Sequence, residues 1–258
     1  WPKLESAQQT RAGKILVRFF EIIDKVLNYY SKADISLLEK AYVFAAKVHK
    51  GQVRLAGEPY LDHPLAVAET LAGMRLDEGS IAAGLLHDCL EGQIVTAHDL
   101  RDAFGPAIAG IVEGVTKLGQ LEFSQREERQ AEYLRKMILT MSEDIRVVLV
   151  KLADRLHDMR SFQRHMTESQ RILAEETLQI YAPLAARLGI DWMKQELEDL
   201  AFQCLHPEAY QQIFQGLEKT QADRRRYVDE VKEVLSTKLK EFNLQGRISG
   251  RSKHLYSI

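Results

Sequence analysis

The chain has 258 residues, 45% hydrophobic and 28% charged, with a formal net charge of −2. That length suits one large domain or two modest ones, and the apolar content is enough for a substantial core. The near-neutral balance excludes a global field for nucleic acid or an anionic membrane. No apolar run reaches membrane-spanning length, and the N-terminus lacks the cationic-then-apolar shape of a signal peptide. Cys89 and Cys204 each sit in an apolar helical context, which reads as reduced thiols of a cytoplasmic protein. Trp1 is not a natural start and Ile258 falls in mid-pattern, so the expectation is a piece of something longer.

Helical periodicity dominates from the start. Residues 13–31 carry apolar positions at three- and four-residue spacing, which predicts an amphipathic helix. Asp34 reads as the N-cap of a helix from Ile35 to His49, and Gly51 as its stop. Gly51, Gly57 and Pro59 break the pattern over 51–63, so a loop or small ribbon is expected there. It ends in His63-Pro64. Proline suits a first helical position, which puts His63 at the mouth of a helix running to Met74.

The stretch that organises the chain follows, Ile81 to Gln93, read as IAAGLLHDCLEGQ. It is apolar on both sides of His87-Asp88, and an apolar helix seldom carries two ionisable residues in its middle without partners for them. Asp77 or Ser80 caps this predicted helix and Gly92 ends it. On a helix Glu91 shares a surface with His87 and Asp88. An imidazole and two carboxylates within one turn can hold a divalent ion and still leave a base free for a water. A surface turn with an incidental His-Asp is the alternative, and the choice depends on ligands supplied elsewhere.

Thr96 with Asp99 predicts a capped helix to Phe104, Gly105-Pro106 a break, and a second helix follows to about Leu118. Residues 119–124 read as a loop and 125–141 as a charged helix whose basic run is a solvated face. Ser142-Glu143-Asp144 reads as a helix start, opening Ile145 to Arg160. The first turns of that helix are almost wholly apolar, yet it carries Asp154, His157 and Asp158 on one face. A carboxylate so embedded needs a cation or hydrogen-bond donors; pairing with Arg155 or a nearby Lys is the plainer reading. Thr167 opens a helix that is broken at Tyr181-Ala-Pro183 and stopped at Gly189. Trp192–Leu205 and a long charged helix over 208–242 follow. From Leu244 the composition shifts to glycines and β-branched residues, which predicts a strand.

His63, His87-Asp88 and Asp154 together make an H…HD…D set, the ligand pattern of the HD-superfamily phosphohydrolases. The stretches GEPYLDHPLAVA, AAGLLHDCLEG, EGVTKLG, DIRVVLVKLADRLHDMR, YAPLAARLGI and ELEDLAF…LHPEAY resemble the RelA/SpoT family of alarmone enzymes over about residues 35–258. The resemblance implies an all-α HD-type helical domain over 1–195, connecting helices over 196–242, and the start of a truncated synthetase domain, with its strand, over 243–258. It implies one divalent ion, usually Mn2+, on His63, His87, Asp88 and Asp154. It implies hydrolysis of the 3′-pyrophosphate of ppGpp or pppGpp, with Glu91 as the catalytic acid that orients or deprotonates the water. Arg54 matches an arginine that packs on the guanine. Arg251, Lys253 and His254 match the opening of the synthetase motif. The substrate is then a guanine nucleotide alarmone, with no nucleic acid contact in this stretch. The resemblance also implies, as an expectation, ribosome association of a full-length protein through C-terminal domains.

The chain departs from the family pattern at four positions. Gly92 stands where HD-x-x-ED has an aspartate, Leu55 and Ala56 replace the Lys-Ser of RKSGEPY, and Asp158 replaces the Asn of DRLHNM. These changes remove a carboxylate beside the water, remove donors near the base and add a negative charge near an anionic substrate. They support an alternative in which a weakened HD module regulates a synthetase domain. A Gly92→Asp variant is expected to raise ppGpp turnover in Mn2+ by roughly 10–100-fold, while Glu91→Ala nearly abolishes it. Equal rates for wild type and Gly92→Asp would make the missing aspartate irrelevant.

Overall fold

The computed structural model describes residues 11–53, 59–91, 94–119, 135, 137, 139, 143–162, 167–244, 246, 248 and 255–257. They form α1 (Arg11–Tyr29), α2 (Ile35–Val48), α3 (Asp62–Gly73), α4 (Glu78–Leu86), α5 (Ala97–Gly119), α6 (Ile145–Ser161), α7 (Glu168–Glu176), α8 (Ala182–Arg187), α9 (Asp191–Leu205) and α10 (Pro207–Glu241). No sheet occurs among the described residues; Val53 and Pro59 form an isolated antiparallel bridge across the expected ribbon. The fold is all-α, as the periodicity predicts.

The chain divides into two compact units, residues 1–158 and 159–258. In the first, α4 is the centre. It packs against α2, α3 and α5, while α1 packs on α3. Every residue from Ser80 to Leu86 is buried, so this segment has no polar face at all. Burial of Ile81, Leu85 and Leu86 contributes about 1.5–3 kcal/mol each. Gly84 permits the tight approach of α3. A Cβ there would stand 2.5 Å from Leu71 Cδ1, and Leu71 is itself fully buried.

The helix starts follow from local side chains. Asp34 accepts from Leu37 N–H and Asp77 from Ser80 N–H, so Asp77 rather than Ser80 caps α4. Thr96 and Asp99 cap reciprocally: the Thr96 N–H donates to the Asp99 carboxylate at 2.9 Å and the Asp99 N–H to Thr96 Oγ1 at 3.2 Å. Asp144 accepts from Arg146 N–H at 2.9 Å at the start of α6. Arg146 also reaches Asp77 at 3.1 Å, tying the starts of α4 and α6 together. The break at Gly105 is present, with φ of 81° just before Pro106.

In the second unit α9 is the centre, packed on α7, α8, α10 and the π-helical turn Thr177–Tyr181. That turn is where the chain meets Pro183, which has no N–H to give. Thr167 and Gln170 form a full capping box for α7. The expected terminal strand is absent among the described residues of 243–258. Residues 245, 247 and 249–254 of that stretch lie outside the described residues. Leu255–Ser257 is a single 3-10 turn, and the Asp199 carboxylate accepts from the Leu255 and Tyr256 N–H groups at 3.3 and 2.8 Å.

A Gly84→Val substitution drives a branched side chain into Leu71. It is expected to lower the unfolding free energy by about 1–3 kcal/mol. Denaturant unfolding of the two proteins measures this; an unchanged midpoint would mean that α3 and α4 are free to separate.

Candidate metal centre

Three helices bring the site together. α3 contributes His63 in its first turn, the end of α4 contributes His87 and Asp88, and α6 contributes Asp154. All four side chains are buried. His63 Nε2 lies 3.1 Å from His87 Nε2, 3.1 Å from Asp154 Oδ1 and 3.5 Å from Asp88 Oδ2. His87 Nε2 lies 3.0 Å from Asp88 Oδ1 and 3.7 Å from Asp154 Oδ1. His63, His87 and Asp88 each offer a ligand atom within 4.8 Å of the others.

The expected helix over the HD pair is shorter than predicted. α4 ends at Leu86, and His87 to Glu91 continue as tight turns in which Cys89 N–H bonds Leu86 C=O at 2.9 Å and Glu91 N–H bonds Asp88 C=O at 3.1 Å. A side chain competes with the helix here. His87 Nδ1 meets the Gly84 carbonyl at 2.8 Å. A carbonyl only accepts, so Nδ1 carries the proton and, in the neutral ring, Nε2 presents a bare lone pair to the cluster. Glu91, at the end of these turns, is exposed.

The electrostatics are those of a place built for positive charge. Burial opposes charging His87, but Asp88 and Asp154 outweigh it and hold its pKa well above the usual imidazole range. Burial also works against the Asp88 anion, and His87 outweighs it, so that carboxyl falls below the usual range. Burial would raise Asp154; the Lys151 ammonium and the two imidazoles hold it well below. Lys151 Nζ sits 2.8 Å from Asp154 Oδ2, leaving Oδ1 for the imidazoles. Two imidazole nitrogens and two carboxylates facing one point in a buried space require a proton or a metal cation between them. Mixed N/O donors fit a borderline-hard divalent ion such as Mn2+ or Zn2+.

Glu91 differs from these ligands. Partial burial and the Asp88 charge raise its carboxyl above the usual range, which strengthens it as a base. Burial pushes the neighbouring Cys89 thiol up to about 12, so it stays protonated and unreactive. Both cysteines are free.

Other groups stand behind the ligands. Tyr60 O–H donates to Asp88 Oδ2 at 3.1 Å, and its ring stacks on His49 at 4.3 Å. His63 Nδ1 lies 2.7 Å from His157 Nδ1. Spacing along α6 puts His157 beside Asp154, but nothing local pointed to a contact with His63. Tyr60 lies on a loop, where no periodicity announces an inward side chain. Asp158 offers a carboxylate oxygen within 4.8 Å of ring nitrogens of His63 and His157. Arg54, Leu55, Ala56, Gly92, Arg251, Lys253 and His254 lie outside the described residues.

Residues 41–191 match the HD domain family. The chain is 48% identical over 236 residues to a GTP pyrophosphokinase of Myxococcus xanthus, covering 90% of this chain and 31% of that one. It is 44% identical over 240 residues to the bifunctional (p)ppGpp synthase/hydrolase SpoT of Escherichia coli K12, covering 93% and 34%. The chain therefore spans about a third of the length of these relatives. A solved structure described as a metazoan ortholog of SpoT that hydrolyzes ppGpp aligns with a TM-score of 0.49 and 26% identity, over 66% of this chain and 95% of that one. A buried H…HD…D cluster on an all-α scaffold is what the family match leads one to look for. The chain belongs to the HD domain family and is a homologue of the RelA/SpoT (p)ppGpp enzymes.

Proposed function

We propose that this chain hydrolyses the 3′-pyrophosphate of ppGpp and pppGpp, returning GDP or GTP and pyrophosphate. The observation that carries the reading is the buried convergence of His63, His87, Asp88 and Asp154 beside an exposed, basic Glu91. The names of the relatives supply the substrate class: a set of them are 3′-pyrophosphohydrolases of guanosine 3′,5′-bis(diphosphate).

The four ligands fit Mn2+ as the resident ion. Bound there, a divalent ion supplies Lewis-acid polarisation of the phosphoryl oxygens and acidifies water. The chain's own residues do the rest. Glu91 accepts the proton of the attacking water. Tyr60 and the Gly84 carbonyl hold Asp88 and His87 in place from behind. Lys151 offsets the charge of Asp154, which tempers repulsion of an anionic substrate. Substrate binding is assigned to Arg54, Leu55, Ala56 and Asp158, as the resemblance to the RelA/SpoT family implies. Residues 1–195 make up the hydrolase domain, 196–242 connect it onward, and Arg251, Lys253 and His254 in 243–258 open a synthetase domain. A cytoplasmic location and ribosome association of a longer chain belong to the same reading. No helix among the described residues is long and apolar enough to cross a membrane.

Glu91→Gln keeps the shape and removes the base. It is expected to lower kcat for ppGpp by about 10²–10⁴-fold with Mn2+ still bound. His87→Ala removes a ligand and is expected to lose metal and activity together, read by elemental analysis and nucleotide chromatography. Full turnover by Glu91→Gln would sink the base assignment. A wild type that holds Mn2+ but turns over no ppGpp would favour the regulatory reading suggested by Gly92 and Asp158.

A further inference from the structure

The site as described gives His157 no task, yet its ring sits directly behind a candidate ligand. The two Nδ1 atoms of His63 and His157 are 2.7 Å apart, and the rings are tilted by 59° with centroids at 4.7 Å. Two bare nitrogen lone pairs repel at that distance, so one of the nitrogens carries a hydrogen that the other accepts. The two possible placements have opposite consequences on the far side of the His63 ring. If His157 donates, a neutral His63 carries its own proton on Nε2 and points an N–H into the donor cluster. If His63 donates from Nδ1, its Nε2 lone pair faces His87, Asp88 and Asp154.

We infer that His157 is a positioning residue: it accepts the Nδ1 hydrogen of His63 and so keeps His63 Nε2 free to ligate a divalent cation. This rests on the metal-centre reading and adds a residue to it. His87 is arranged in the same way, with Nδ1 turned to the Gly84 carbonyl. Both imidazoles thus have an acceptor behind Nδ1 and the cluster in front of Nε2, an arrangement known to fix tautomer and ring direction at metal sites. The acceptors differ in strength of commitment. A carbonyl can only accept, whereas His157 accepts only in its Nε2–H tautomer. The arrangement is also economical in helices, since α6 supplies both Asp154 and, one turn on, the acceptor that aims the ligand of α3.

The test uses the whole chain and Mn2+ binding by chelator competition. His157→Leu removes the acceptor and is expected to weaken binding by about 10–100-fold. In His157→Asn the amide oxygen falls near the place of Nδ1 and is expected to restore most of the affinity. Asp154→Ala serves as the control that loses a ligand. In Zn2+-loaded wild type, ¹⁵N NMR of the imidazoles is expected to show His63 protonated at Nδ1 and bound through Nε2. Equal affinity of His157→Leu and wild type, with Asp154→Ala impaired, would overturn the role of His157 alone. Equal affinity of all three would overturn the metal centre itself. If His157→Leu fails to fold, the NMR of wild type decides: His63 bound through Nδ1 overturns the inference.

Discussion

Four electron-rich side chains aimed at one buried point are unfavourable unless something positive stands between them, and much of the first unit follows from that constraint. Two imidazoles and two carboxylates cannot be desolvated together without a proton or a metal ion. In the protein alone the compensation comes from protonation, which is why the His87 pKa rises and those of Asp88 and Asp154 fall. The three helices that deliver the ligands are held by unrelated means: apolar packing around α4, the close approach at Gly84, and the Arg146 bridge from the start of α6 to the cap of α4. Each limits how far the ligands can relax apart.

Most of the helical framework was legible in the sequence because its signals are local. Asp34, Thr96 with Asp99, Thr167 with Gln170, and Gly105-Pro106 act within three or four residues of themselves. The four candidate ligands were legible because their chemistry is conspicuous against apolar helices. The end of α4 was not. Glycine at 92 looked like the stop, whereas the helix yields at Leu86, where the His87 ring takes the Gly84 carbonyl. The turn at Leu255–Ser257 escaped for a similar reason, since its organiser, Asp199, lies on another helix. Tyr60, and the contact of His157 with His63, went unrecognised because each acts across the fold, and spacing along the chain carries no record of such contacts.

The departures from the RelA/SpoT sequence pattern do not fall on the four candidate ligands. Gly92, Leu55, Ala56 and Asp158 differ from the pattern, while His63, His87, Asp88 and Asp154 match it. The four candidate ligands are themselves buried in the packed helices of the first unit.

The termination of α4 at Leu86 has an electrical consequence. The C-terminal end of a helix carries the negative pole of its dipole, equivalent to about half a charge, and here that end abuts His87 and Asp88. A phosphate arriving at a metal-free site would meet two carboxylates, Glu91 and the carbonyl end of a helix. With a divalent ion in place, the same approach runs toward a cation. On the proposed reading, an ion bound ahead of the nucleotide would remove that repulsion.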